Sequence, residues 1–209
     1  MKIVFSDIPM KKEISPQKYA VDKNKTIEYD GEVVYPINSV LARTMKTGEK
    51  VRVVLLSKDV ATGYSQQNLE YFKSELNEIN KEIGAEIEYV SITSPFEETR
   101  EIHEKLLRDM IGTLEENAEI FADTTYGPKT LPIIIFAVLN FAEKFFKADI
   151  KNIVYGKVDF VDNGTGKPVP VNPVLYDLAP LYYLNGLTNT MQYKNSKEAL
   201  KALDILLNI

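Results

Sequence analysis

One eight-residue stretch, Asp123-Thr124-Thr125-Tyr126-Gly127-Pro128-Lys129-Thr130, gathers the side chains best suited to holding an anion. It offers threonine hydroxyls, a lysine ammonium, and a glycine that lets a ligand approach the backbone. Pro132 follows closely. It lacks a backbone N–H, so it fits the first turn of a helix and not its interior. A helix therefore starts near residues 129–131, with its first N–H groups unpaired and turned toward the preceding loop. Such a cradle suits phosphate or ribose. The same residue types also make an ordinary capped strand-to-helix turn, and composition alone does not separate the two readings.

Other chemistries are narrowed by what the chain lacks. It has no cysteine, which removes disulfides, thiolate nucleophiles and cysteine-based zinc sites. The single histidine, His103, lies in the charged stretch Thr99-Arg100-Glu101-Ile102-His103-Glu104-Lys105 and reads as a solvated helix residue. A multi-histidine metal site is excluded, and no nucleophile elbow accompanies His103. We therefore expect no metal and no cofactor. A GxxxxGK[ST] phosphate loop is absent. No GxGxxG follows the first strand, which disfavours a dinucleotide oxidoreductase. Asn163-Gly164-Thr165-Gly166 is glycine-rich but reads as a hairpin turn. Asp7 has no second acid beside it and reads as a turn or cap residue. The net charge of −5 argues against duplex DNA as a partner, though a local anion site needs only a few donors.

The elements that must position these residues alternate along the chain. Apolar strand patterns occur at residues 2–5, 51–56, 86–92, 118–122 and 152–158. Helical patterns occur at 37–47, 65–83, 95–114 and 131–146. A hairpin is expected around 29–32 and another across 160–171. Repeated strand-helix-strand units imply right-handed crossovers and a parallel sheet. The expected fold is α/β: a Rossmann-like, mostly parallel sheet flanked by helices, with a C-terminal β-hairpin and a helical extension. Residues 1–173 form the main domain in this reading, and 174–209 the extension. The last helix, 195–207 with Ser196 as its cap, carries a leucine stripe that needs a docking surface. Ligands in such sheets bind beyond the carboxyl ends of the strands. That rule points to the loops Ser6-Asp7-Ile8, Ser57-Lys58-Asp59, Thr93-Ser94 and residues 123–129. At 209 residues, with 44% hydrophobic and 26% charged, the chain suits one such domain with a small appendage. Its most apolar stretch, 131–141, is too short to span a bilayer. The first residues read as a strand and not as a signal peptide, so no membrane partner and a cytoplasmic location are expected.

The segment from Asp123 to Lys129, followed by an apolar helix and then Asn152-Ile153-Val154-Tyr155-Gly156-Lys157, resembles the signature of CRISPR-associated Rossmann-fold (CARF) sensor domains. In that family a strand ends in an Asp-x-Thr-x-Gly-x-Lys/Arg-like motif, and a strand ending in Tyr-Gly follows its helix. Tyr35-Pro36-Ile37-Asn38-Ser39-Val40-Leu41 is similar to the family's second ligand loop. Leu175-Tyr176-Asp177-Leu178-Ala179-Pro180-Leu181 resembles the segment that leaves the core in one branch. The resemblance covers residues 1–185. It implies a homodimer that binds cyclic oligoadenylate across its two-fold axis, cyclic tetraadenylate first and hexaadenylate second. It also implies control of an attached or partner effector in type III CRISPR antiviral defence. The nucleotide-binding residues it implies are Ser6, Asp7, Ile8, Asn38, Ser39, Thr124, Thr125, Gly127, Lys129 and Thr130. Some members cut the ring slowly without metal; Lys129 would then stabilise the developing charge. Another Rossmann-like nucleotide-handling enzyme is the remaining alternative. One departure stands out: Ser6-Asp7-Ile8-Pro9 puts an acid near a polyanion.

Overall fold

The computed structural model describes residues 1–12, 14–59, 63–162, 164 and 168–207. Its centre is a seven-stranded sheet in the order β2 (Ala20–Val21), β7 (Val169–Asp177), β6 (Asp149–Val161), β5 (Glu119–Asp123), β1 (Lys2–Asp7), β3 (Lys50–Asp59) and β4 (Glu86–Pro95). Composition dictates the central strands. β1 (Lys2–Asp7), β3 (Lys50–Asp59) and β5 (Glu119–Asp123) are short β-branched or aromatic runs covered on both faces. β1 pairs in parallel with both β3 and β5. β4 (Glu86–Pro95) and β6 (Asp149–Val161) extend the parallel sheet outward on each side. β7 (Val169–Asp177) returns antiparallel to β6, the expected hairpin. Of its glycine-rich turn, Asn163, Thr165 and Gly166 lie outside the described residues.

Helices cover both faces. Val4, Val51, Val53, Leu55 and Phe121 share one core with residues of α1 (Pro36–Thr44) and α2 (Ser65–Ile83). The alternate residues of the same strands point to the opposite face, as the two-residue period of a strand requires. There α3 (Arg100–Ile111) packs with α4 (Leu131–Phe146). From β3, beside β1, the chain goes outward to β4, then crosses back to β5 on the other side of β1 and continues to β6. The direction of winding thus reverses between β1 and β5, and a crevice opens beyond the carboxyl ends of such a strand pair.

Several elements differ from expectation. No hairpin forms at 29–32; Val33 instead bridges Gln17, and a two-residue strand, β2 (Ala20–Val21), joins the sheet beside β7. β3 and β4 run past Leu56 and Ile92 into polar residues, because Ser57, Lys58 and Thr93 lie beyond the apolar core at the rim of the sheet. Helix α1 ends at Thr44, before Gly48. The chain divides into two compact units, Met1–Leu178 and Ala179–Ile209. The break expected at 173 falls inside β7, which continues to Asp177. The second unit holds α5 (Ala179–Thr190) and α6 (Ser196–Leu207). The cap of α6 is Asn195, not Ser196: its Oδ1 accepts from the Glu198 N–H at 3.0 Å, while its Nδ2 donates to the Glu198 carboxylate. Among the described residues no helix is long and apolar enough to cross a membrane.

Candidate functional site

A cleft of 690 Å³ opens at the carboxyl ends of β1, β3 and β5, where the winding reverses. Its walls are Asp7 to Lys11 after β1, Lys58 at the end of β3, Phe96 and Glu98 after β4, and Thr125 to Pro128 after β5. A second groove of 200 Å³ lies beside it and shares Lys11, Thr125 and Tyr126; Tyr19, Tyr155, Gly156 and Phe160 complete it. Lys11 sits between the two, its ammonium 5.7 Å from the centre of the Tyr126 ring.

The walls are held from behind. Asn68 of α2 donates from Nδ2 to the carbonyls of Pro9 and Lys11, at 2.6 and 3.0 Å, and so fixes the loop after β1. The Tyr126 hydroxyl donates to the Val34 carbonyl at 2.9 Å, which orients its ring. Thr125 Oγ1 accepts from the Gly156 N–H at 2.8 Å, and the Thr125 N–H donates to Asp123 Oδ1 at 2.8 Å. Asp123 is wholly buried and also accepts from the Ile37 N–H at the start of α1. Its burial pushes the carboxyl up to about 6, against the pull of the Thr125 and Ile37 donors. Leu131 opens α4 as the proline argument requires, with Pro132 in the first turn.

Charge at the rim is organised around Glu98. Its carboxylate accepts from Lys58 Nζ at 2.8 Å, from the Thr130 hydroxyl, and meets His103 Nε2 at 3.1 Å. Burial raises the Glu98 carboxyl, but these donors outweigh it and hold it at about 2. Lys58 is itself 7% exposed and also donates to the Pro95 carbonyl. His103, expected as a plain solvated helix residue, therefore belongs to a buried-edge network. Asp7 stands next to this network without joining it by a hydrogen bond. Burial pushes its carboxyl up to about 8, with Lys58 opposing and Asp123 and Glu98 reinforcing. A carboxyl raised this far is mostly protonated near neutral pH, so Asp7 carries little charge there.

The sequence-derived residues distribute unevenly over this geometry. Asp7, Ile8, Thr125 and Gly127 line the main cleft. Lys129 is exposed at its edge, next to the lining residue Pro128, and makes no ion pair among the described residues. Thr130 is turned to Glu98. The Thr124 hydroxyl donates to the Val154 carbonyl. Ser6 is buried, its hydroxyl without a partner among the described residues. Asn38 and Ser39 do not reach the cleft: both are buried, Asn38 donates to Glu75 and Ser39 to the Pro36 carbonyl. The N–H groups around the start of α1, in the stretch similar to the family's second ligand loop, are taken by the carboxylates of Glu75 and Asp123. Lys11, Phe96 and Glu98 enter the site only through the fold, whereas Lys58 and Tyr126 lie in strand-end loops that the sequence singles out. The rule that ligands sit beyond strand ends did point at Lys58, but nothing in the sequence joined it to Glu98.

No protein-family model matches the chain. Over 103 residues, 47% of its length, it is 25% identical to CRISPR-associated protein MJ1674 of Methanocaldococcus jannaschii. The chain is similar to a CRISPR-associated protein. The matched stretch covers 15% of that protein's own length.

Gly127 is the tightest point of the site. Its φ is +95°, and a Cβ there would lie 2.7 Å from Asp7 Oδ2 and 2.8 Å from Leu131 Cδ2. Gly127→Ala should destabilise the protein by about 1–3 kcal/mol, since both the backbone strain and the overlap fall on buried neighbours. Thermal denaturation reads this directly; an unchanged midpoint would show that the loop relaxes freely.

Proposed function

We propose that this domain binds cyclic oligoadenylate, cyclic tetraadenylate in preference to hexaadenylate, across a homodimer, and thereby regulates an attached or partner effector in type III CRISPR defence. The observation that carries the reading is the cleft at the β1–β5 reversal, walled by the Thr125–Gly127 loop and made tolerant of anions by an uncharged Asp7. Similarity to a CRISPR-associated protein supports the same setting.

The size of the cleft supports the dimer. A volume of 690 Å³ is within the range of about 300–1,000 Å³ that encloses a drug-sized molecule. A ring of four nucleotides is larger than that. One cleft then takes part of the ring, and the same cleft on a second copy takes the rest, so that ring and protein share a two-fold axis. Lys129 and the N-terminus of α4 supply positive potential at the cleft edge, and Lys11, beside the Tyr126 ring, adds to it. Exposed aromatic faces at Phe96 and Tyr155 suit adenine stacking.

Lys129→Ala tests the reading at a residue whose removal leaves the core untouched. A charge-assisted contact to phosphate is worth enough that affinity for cyclic tetraadenylate should fall about ten- to a hundredfold in calorimetry. The melting temperature of the free protein should stay constant. Unchanged affinity would remove Lys129 from the site.

A further inference from the structure

We propose that Lys58, His103 and Thr130 form a phosphate subsite at the edge of the main cleft, which the Glu98 carboxylate fills until a phosphate replaces it. The inference rests on the nucleotide-binding reading above and names the groups that would take a phosphate of the ring.

The donors converge from three separate elements. Lys58 lies near the end of β3, His103 in the first turn of α3, and Thr130 at the cap position of α4. They divide between the two oxygens of one carboxylate. Lys58 Nζ donates to Glu98 Oε1 at 2.8 Å; the Thr130 hydroxyl donates to Oε2, and His103 Nε2 lies 3.1 Å from that same oxygen. A pair of anionic oxygens, each met by its own donors, is also how a protein holds a phosphate. The dipole of α4 favours negative charge at the same point.

The occupant is less firmly placed than its donors. The Lys58 side chain is 7% exposed and that of Glu98 33%. Glu98 belongs to the exposed link 96–99 between β4 and α3, whereas the donors belong to a strand and two helix starts. Lys58 and Glu98 both line the cleft, so an anion there reaches the pair without crossing the core. Swinging Glu98 outward costs little at the carboxylate, which water solvates. The cost falls on Lys58, a buried ammonium with no other carboxylate within ion-pair distance among the described residues. The Pro95 carbonyl that it also bonds holds the ammonium in place but brings no charge. Glu98 therefore leaves in exchange for another anion. A neutral ligand cannot make that exchange; a phosphate, with charge and spare acceptor oxygens, can.

A filled subsite binds more weakly by the fraction of time that it stands open, so removing the carboxylate should tighten binding. The test is calorimetry on the full chain with inorganic phosphate and, separately, with cyclic tetraadenylate. It compares wild type, Glu98→Gln, Glu97→Gln and the double variant Lys58→Met with Glu98→Gln. Glu98→Gln should bind inorganic phosphate about tenfold tighter than wild type, and added phosphate should raise its melting temperature more. Glu97→Gln makes the same charge change at the neighbouring exposed position and should match wild type. The double variant should lose the gain. Should Glu98→Gln not fold, Glu98→Asp keeps the charge one methylene short of the donors and should show a smaller gain. Phosphate affinity that fails to rise in the Glu98 variant, rises equally in Glu97→Gln, or stays raised in the double variant overturns the subsite. If the ring still binds in that case, the nucleotide reading stands without it. A phosphate gain in Glu98→Gln with no variant binding the ring supports the subsite, with free phosphate as its occupant, and overturns the nucleotide reading.

Discussion

Glu75→Ala should lose about 2–4 kcal/mol of unfolding free energy in chemical denaturation. Glu75 sits on α2, yet its carboxylate does the work of an N-cap for α1. Oε2 accepts from the Val34 N–H at 2.7 Å, and Oε1 from the Tyr35 N–H at 3.2 Å and Asn38 Nδ2 at 2.8 Å. Tyr35, the residue at the cap position, makes no side-chain capping bond. Truncating Glu75 therefore leaves donors beside a closed apolar core, where an unmade bond carries its full desolvation penalty. Burial raises the Glu75 carboxyl while these same donors lower it, so burial and capping pull against each other at this residue. Glu75→Gln keeps an accepting oxygen and should lose clearly less. A loss within about 0.5 kcal/mol for the alanine variant, the range of an ordinary surface change, would show that water replaces the carboxylate without penalty.

Asp7→Asn should flatten the pH dependence of stability between pH 6 and 8. The sign follows from the raised carboxyl. Asp7 ionises near 3.8 when unfolded and near 8 when folded, so between those values the folded state holds the extra proton. Wild-type stability therefore falls as pH rises from about 4 to 8, by something on the order of 5 kcal/mol. An asparagine amide does not titrate and carries no such penalty, so the variant should melt higher than wild type at pH 8 and similarly at pH 4. Asp123 contributes a fall of the same sign, confined between 3.8 and about 6, and this persists in the variant. Glu98 works in the opposite direction: held at about 2, it stabilises above 4.5, and that contribution is lost as pH falls from 4.5 toward 2. Parallel melting curves for wild type and Asp7→Asn between pH 6 and 8 would contradict an uncharged Asp7.

The long periodic segments were legible in the sequence because nothing outside them competes with their pattern. Helix α2 occupies Ser65–Ile83 and α4 Leu131–Phe146, as the apolar spacing, the glycine stop at Gly84 and Pro132 require. The strand-helix alternation gave the sheet for the same reason. A strand as short as β2 has no period to read, and it exists only because β7 presents an edge beside it. The loop at 123–130 was legible as a candidate site because hydroxyls, glycine and lysine crowd one strand end. The α1 side was not. Asn38 and Ser39 suit a ligand loop by type. Glu75, 37 residues from Asn38, and Asp123, 86 residues from Ile37, claim the N-terminus they would have served. The same holds for Lys58, Glu98, His103 and Thr130, which no local spacing connects.

With Asp7 raised to about 8 and Glu98 paired, the two acids of the cleft would present little free negative charge to the proposed polyanionic ligand, despite a net charge of −5. The most direct test is native mass spectrometry of the wild-type chain with increasing cyclic tetraadenylate. The account predicts a saturating complex of two chains and one ring. A ring carried by a single chain would contradict the shared site, and a spectrum in which no ring remains bound to the folded protein would contradict the nucleotide-binding function.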